Sequence, residues 1–320
     1  MTDAPIITIA MRTQGTRLEV LTEALYSVFA QTMDSYEVLL LLHTKDEDPE
    51  SVRRLKSFLT TLAPALAEKI KLVPVVGGGR ARPLNAALDS ACGVWLCHLD
   101  DDDLLLDGHF AALRTAASDD PESNAFHTFG VLREVSVLNS ERGSTFPYVP
   151  TEIKGLYYRP HSMLVQTTEN GLPICNVFTK LAFIRSTGIR FDEAYDVLED
   201  YKFWIDLSHF TIIKTIHQFT TLITQRDNHS NSATDPESAA VWNAHLQRIR
   251  AEIFSNSSMV TAQDLARMDE FRHIYREWKL TRARLGAGMV VVKLMSHAVA
   301  FVRKLTPATL RRVITRALDR

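Results

Sequence analysis

The sequence predicts an α/β fold: a mostly parallel central sheet flanked by helices. Three observations carry this. Up to Leu99, short apolar runs of strand length alternate with longer stretches of helical periodicity. The runs end in turn-forming or charged residues, at Arg12–Thr16, Gly77–Gly79 and Asp100–Asp103. With 320 residues, 46% hydrophobic and 23% charged, the composition is that of a globular chain able to bury a large core.

In order along the chain, Ile6–Met11 is apolar and β-branched, opens after Pro5 and reads as a first strand. Leu18, Leu21, Leu25, Val28 and Phe29 recur at helical spacing as far as Gln31. Val38–Leu42 is a second strand, and Pro49 opens an amphipathic helix to about Leu66. Lys71–Val76 is a third strand, broken by three glycines. Pro83–Ser90 reads as a helix and Val94–Leu99 as a fourth strand ending in four aspartates. Such alternation implies crossover helices and parallel strands, whose carboxyl ends gather ligands. That edge collects Arg12–Gly15, His43–Lys45, Gly77–Arg82 and Asp100–Asp103.

Residues 125–175 are expected to add antiparallel strands and loops. Leu198–Phe210 reads as a helix with Glu199 and Asp200 at its start, Gln225–Thr234 as a polar loop, and the chain beyond Pro236 as helical. The expected organisation is one α/β domain over 1–235, in two halves at 1–110 and 111–235, followed by a basic helical extension at 236–320.

Charge is uneven. Phe271–Arg320 holds 12 Lys/Arg against 2 Asp/Glu, whereas the whole chain is at −2. That balance excludes a general nucleic-acid footprint but lets the tail meet an anionic surface. Lys293 lies near the centre of the apolar Leu285–Leu305 segment, where burial in a bilayer costs about 2.5–3.5 kcal/mol. Interfacial membrane contact, packing on the domain, or self-association are the expected fates of the tail. Cys92, Cys97 and Cys175 form no C-x-x-C pattern, and no signal peptide is read at the N-terminus. A cytoplasmic chain is expected, with the inner membrane face as an alternative place.

Asp100-Asp101-Asp102-Asp103 is the most informative run. Adjacent carboxylates repel, and a divalent cation at a strand end would relieve that repulsion and steady a departing diphosphate. A solvated turn with one Asp capping a helix is the structural alternative. Arg80 and Arg82, beside Gly77–Gly79, suit a phosphate clamp, although no G-K-[ST] of a Walker loop follows.

Several segments together resemble the family 2 glycosyltransferases of the GT-A fold. They are Leu21-Thr-Glu-Ala-Leu25-Tyr-Ser27 with Gln31-Thr32, Glu37-Val38-Leu39, Asn85-Ala-Ala-Leu88, Ala91-Cys-Gly93-Val-Trp95, Leu99–Asp103, Phe191-Asp192-Glu193 and Glu199-Asp200. The resemblance covers about 5–110 and 175–235. It implies a metal-dependent, inverting transfer of sugar from a nucleotide-diphosphate donor to a glycan, lipid-linked or other hydroxyl acceptor, as in cell-envelope polysaccharide or glycoconjugate synthesis. Asp102 is assigned to the metal (Mn²⁺ or Mg²⁺) and Asp100 to the nucleotide, with Asp100 and the late His229 completing the expected ligand set. Asp200 is the implied base, and Glu199 either positions the acceptor or takes that role. The alternative for this pair is a helix start decorated with acids, which the helix dipole favours. Asn85 and Thr13 match donor-contacting positions.

Two departures bear on the donor. Leu42-His43-Thr44-Lys45 stands where the family has Asp-Asp-Gly-Ser, and Met11-Arg12-Thr13-Gln14 where it has Pro-x-Tyr/Phe-Asn. Arg12 and His43 are therefore the expected base or ribose contacts. A UDP-sugar is the expected donor, with GDP and dTDP open. The competing readings are a sugar nucleotidyltransferase on a related sheet and a non-catalytic relative.

Overall fold

The computed structural model describes residues 6–137, 148–162, 166, 170–227 and 239–255. The first half alternates as the sequence implies. It runs β1 (Ile7–Thr13), α1 (Leu18–Phe29), β2 (Tyr36–Thr44), α2 (Pro49–Leu59), α3 (Pro64–Ala67), β3 (Ile70–Val76), α4 (Ala81–Ser90) and β4 (Trp95–Asp100). β5 (Leu104–Leu105), α5 (His109–Asp119), β6 (Ala125–Val137) and β7 (Tyr148–Tyr157) follow. Then come β8 (Val177–Lys180), α6 (Leu181–Thr187), α7 (Glu199–Ser208), β9 (Ile213–Arg226) and α8 (Ala239–Ser255).

The described strands form one sheet in the order β3-β2-β1-β4-β8-β6-β9-β5, with β7 paired to β6. The β3-β2-β1-β4 part is parallel throughout. β6 and β9 add a further parallel pair, while β7 and β8 are antiparallel to their neighbours. Helices cover both faces, which is why β2 reads as an unbroken apolar run. Val38, Leu40 and Leu42 join Ile7, Ile9 and Met11 against α1, α2 and α5. Leu39, Leu41 and Ala10 point the other way, into Leu84, Leu88, Ile184 and Trp204 of α4, α6 and α7.

Three expectations change. The helix expected over Pro49–Leu66 is two helices. Ala63 precedes Pro64, whose ring disfavours helical backbone before it, and Ala63 is extended at ψ 136°. The 14-residue strand β9 was not anticipated, although its alternation of Thr, Ile and Phe carries the signal. Of the polar loop at Gln225–Thr234, Gln225 and Arg226 belong to β9, and 228–234 lie outside the described residues. α8 packs Ile249 and Ile253 against Tyr195, Leu198, Tyr201 and Ile205. Among the described residues no helix is long and apolar enough to cross a membrane. The basic tail lies outside them.

Candidate active site at the strand carboxyl ends

The parallel pairing puts Arg12, near the end of β1, level with Asp100, the last residue of β4. Arg12 grips Asp100 through two bonds, Nε to Oδ1 and Nη2 to Oδ2, each 3.0 Å. Its Nη1 donates to Glu199 Oε1 at 2.9 Å and to the Arg80 carbonyl at 3.1 Å. One side chain thus joins the aspartate run to the Glu-Asp pair, 187 positions away. Arg12 is 11% exposed and Glu199 4%, so this ion pair is shielded from water. Burial pushes Glu199 and Asp100 up, but neighbouring arginines outweigh it. Arg80 and Arg12 hold Glu199 below its ordinary range, and Arg12 and Arg80 do the same for Asp100.

Glu199 and Asp200 form the first turn of α7, entered through Leu198 in the left-handed region at φ 63°. Among the described residues Leu198 is the one non-glycine with positive φ. A buried leucine held there is strained, and its packing under α8 offsets the cost. The turn presents Asp200, whose Oδ1 accepts from the Tyr201 amide at 2.7 Å and Oδ2 from Asn170 Nδ2 at 3.1 Å. Burial, then the charge of Glu199, push the Asp200 carboxyl up to about 7. A general base works best near that value at neutral pH.

Arginines also pair with Asp101 and Asp102. Asp101 accepts from Arg17 Nη2 and from Thr13 Oγ1 at 2.6 Å. Asp102 Oδ2 lies between Arg226 Nη1 at 2.8 Å and Arg17 Nη1 at 3.2 Å. Both guanidiniums also donate to the Tyr148 hydroxyl. Asp103 Oδ1 accepts the Thr224 amide of β9 at 2.8 Å. Burial pushes Asp102 up to about 7, and it raises Asp103 as well. Asp102, Asp100 and His229 were expected to hold a metal. Among the described residues no group of three or more His, Cys, Asp or Glu is arranged to hold one, and His229 lies outside them. Both oxygens of Asp100 and one of Asp102 are already bonded to guanidiniums, so these carboxylates do not fit a divalent ion as they stand.

The remaining expected residues divide. Arg80 reaches Glu199 through Nε at 2.9 Å and is more than a third exposed. Arg82 is half exposed, its nearest carboxylate Glu193 at 3.9 Å. Both stand beside Gly77 and Gly78, whose positive φ values of 68° and 70° favour glycine at each. A Cβ on Gly78 would meet Arg82 Cδ at 2.5 Å. His43 Nε2 bonds the Gly77 carbonyl at 3.0 Å and so braces this turn. Thr13 Oγ1, besides bonding Asp101, accepts the Gly15 amide at 3.0 Å. Asn85 is directed elsewhere: both polar atoms of its buried side chain bond Phe191, and its Nδ2 also reaches Glu193. It clamps α4 to the Phe191-Asp192-Glu193 segment and leaves no free group for a nucleotide.

Sequence reasoning missed Arg17, Arg226, Tyr148, Asn170 and Leu198. The only signal was Arg17, a cation where α1 has no capping side chain.

No family model and no curated protein matches the chain. Among solved structures it is similar to S. aureus TarS 1-349 in complex with UDP-GlcNAc, at TM-score 0.50 and 16% identity over 78% of this chain and 71% of that one. S. aureus TarS 1-349 gives 0.47 and 18% over 78% and 72%. A longer S. aureus TarS structure gives 0.48 and 15% over 81% of this chain and 44% of that one. The architecture of this chain is a GT-A-like glycosyltransferase fold: a mixed α/β body on a mostly parallel central sheet flanked by helices.

Proposed function

We propose that this chain is an inverting glycosyltransferase that moves a sugar from a nucleotide-diphosphate donor, a UDP-sugar in the first instance, to a hydroxyl of a glycan or lipid-linked acceptor in cell-envelope or glycoconjugate synthesis. The observation carrying this reading is Arg12, which ties Asp100 at the end of β4 to Glu199 beside Asp200. The expected donor-binding and base residues thereby share one cluster at the carboxyl edge of the sheet, where ligands of such sheets bind. The likeness to a TarS complex with UDP-GlcNAc supports a UDP-sugar as the first donor to test.

In this reading Asp200 takes the proton of the acceptor hydroxyl as its oxygen attacks the anomeric carbon. The carbon–oxygen bond to the diphosphate breaks as the new glycosidic bond forms, on the opposite face. Glu199 keeps Asp200 basic enough to accept that proton. Arg80 and Arg82 meet the departing diphosphate, and the glycine turn lets its oxygens approach backbone N–H groups. No step is routed through a metal, because the carboxylates that would ligate one are paired with arginines. The basic segment from Phe271 is read as the contact to an anionic membrane face or a second subunit, with the chain in the cytoplasm.

The test is calorimetry of UDP, GDP and dTDP on wild type and Asp200→Asn, followed by product analysis with the donor that binds. Nucleotide binding retained in Asp200→Asn with turnover lost fits the reading. Release of pyrophosphate instead of a nucleoside diphosphate would replace it with the nucleotidyltransferase reading. A folded protein that binds none of the three would leave a non-catalytic relative.

A further inference from the structure

Three of the four aspartates in the run are ion-paired from within, and the fourth, Asp103, accepts the Thr224 amide. Arg12, Arg17, Arg80 and Arg226 are paired with Asp100, Asp101, Asp102 and Glu199. These pairs lie in a region where side-chain exposure falls to 4% at Glu199 and 12% at Asp102 and Arg226. The same oxygen of Asp102 accepts from two guanidiniums. A divalent ion approaching that oxygen would meet two positive charges. To bind, it would have to dislodge Arg226, which also donates to Tyr148 and is largely enclosed. Breaking a buried pair without supplying a new partner for the displaced cation is strongly unfavourable.

Arg17 differs from Arg226 in one respect. It holds Asp101, Asp102 and Tyr148 while 36% of its side chain stays open to solvent. A guanidinium carries five N–H donors, and three hydrogen bonds from Arg17 are accounted for within the cluster. Donor capacity remains for an incoming oxyanion.

We infer that Arg17, backed by Arg226 and Tyr148, takes the electrostatic place of a divalent cation, so that this chain binds its donor diphosphate without metal. The inference rests on the nucleotide-sugar reading above. Arg17 serves two anions at once: it neutralises the aspartates at the end of β4 and offers its remaining edge to the diphosphate. The buried carboxylates hold that cation in position before the donor arrives, so its ordering adds little to the cost of binding.

The test uses the full-length protein in two arms. First, Mn²⁺ alone is titrated and free ion followed by electron paramagnetic resonance. Wild type is expected to show no site tighter than about 1 mM, the range of weak oxygen sites. A tighter site that disappears in Asp102→Asn overturns the inference. Second, UDP is titrated by calorimetry in EDTA and in Mn²⁺. Equal affinity in both supports the inference, whereas a gain of about tenfold or more in Mn²⁺ overturns it and leaves the nucleotide reading intact. No binding of UDP, GDP or dTDP in either buffer removes the nucleotide reading and this inference with it. Arg17→Gln is expected to weaken UDP by about tenfold or more in EDTA and to let Mn²⁺ restore part of the loss, since it takes the guanidinium from both Asp101 and Asp102. Unchanged UDP affinity in a folded Arg17→Gln protein also overturns it. The wild-type arms decide the matter if that variant does not fold.

Discussion

Replacing Asp200 with asparagine should stabilise the protein above neutral pH while removing the proposed base. The carboxyl stands at about 7 against an ordinary value of 3.8, chiefly through burial and then through the charge of Glu199. Between those two values the folded chain holds a proton that the unfolded chain has lost. Stability therefore falls as pH rises through this window, and the full penalty is present above about 7. Each pKa unit is worth about 1.36 kcal/mol, so ionised Asp200 destabilises the fold by about 4 kcal/mol at most. Two features reduce the gain from asparagine. Asp200 keeps some contact with solvent. Asn170 is also oriented by the Leu172 amide on its Oδ1, so its Nδ2 would face the introduced amide unless the new side chain turns its oxygen that way. About 2 kcal/mol is the expected net effect, or about 4–8 °C in melting temperature for a domain of this size. Thermal denaturation of both proteins at about pH 4.5 and about pH 8.5 tests it, with the variant's advantage small at the lower pH and full at the higher. An advantage that is absent, or the same at both pH values, refutes the argument that Asp200 is ionised against its surroundings.

Arg12→Met should cost about 3–5 kcal/mol in urea denaturation, because Asp100 loses both its bonds and Glu199 keeps only Arg80; a loss below about 1 kcal/mol would mean the cluster relaxes into solvent. Glu199→Gln removes the charge that helps raise Asp200, so the rising limb of the kcat/KM profile, set by the base, should move to lower pH; an unmoved limb would disconnect the two acids. Gly130→Ala would put a Cβ 2.5 Å from Ile223 Cδ1 and 2.7 Å from Thr221 Oγ1, and should destabilise by about 1–3 kcal/mol. At Gly155 the nearest atom is 4.0 Å away, so Gly155→Ala should stay within about 0.5 kcal/mol; equal effects at the two sites would show that the β6–β9 pairing is looser than drawn.

The parallel half of the sheet was legible because its signals are local. Val38–Leu42 is apolar at every position, and a strand covered on both faces needs that. Glycines and charged residues mark where the strands stop, so the carboxyl edge could be drawn before any contact was known. β9 carried a β-branched pattern too, but its partner β6 lies about 90 positions upstream, and nothing local says that the two run parallel. The break before Pro64 was legible in principle from the proline alone.

The chemistry of the aspartate run was the part that local reading distorted. Four adjacent acids look like uncompensated charge because a sequence shows like charges side by side and says nothing about cations brought in by the fold. Those cations come from 88, 85 and 124 positions away, from Arg12, Arg17 and Arg226. Each sits at or just beyond a strand end: the parallel β1–β4 pair delivers Arg12, the antiparallel β5–β9 pair brings in Arg226, and the turn after β1 brings in Arg17. Asn85 shows the converse. Its place in a matching segment suggested a ligand contact, and tertiary structure gave its amide to Phe191. A motif therefore locates the edge at which a ligand is met, while long-range pairing decides which of its side chains remain free to meet it. In the proposed function, Arg17, Arg80 and Arg82 are the exposed cations at that edge for the donor, and Asp200, whose oxygens also accept from Tyr201 and Asn170, is the base. Exposed cations at that edge suit an anionic donor.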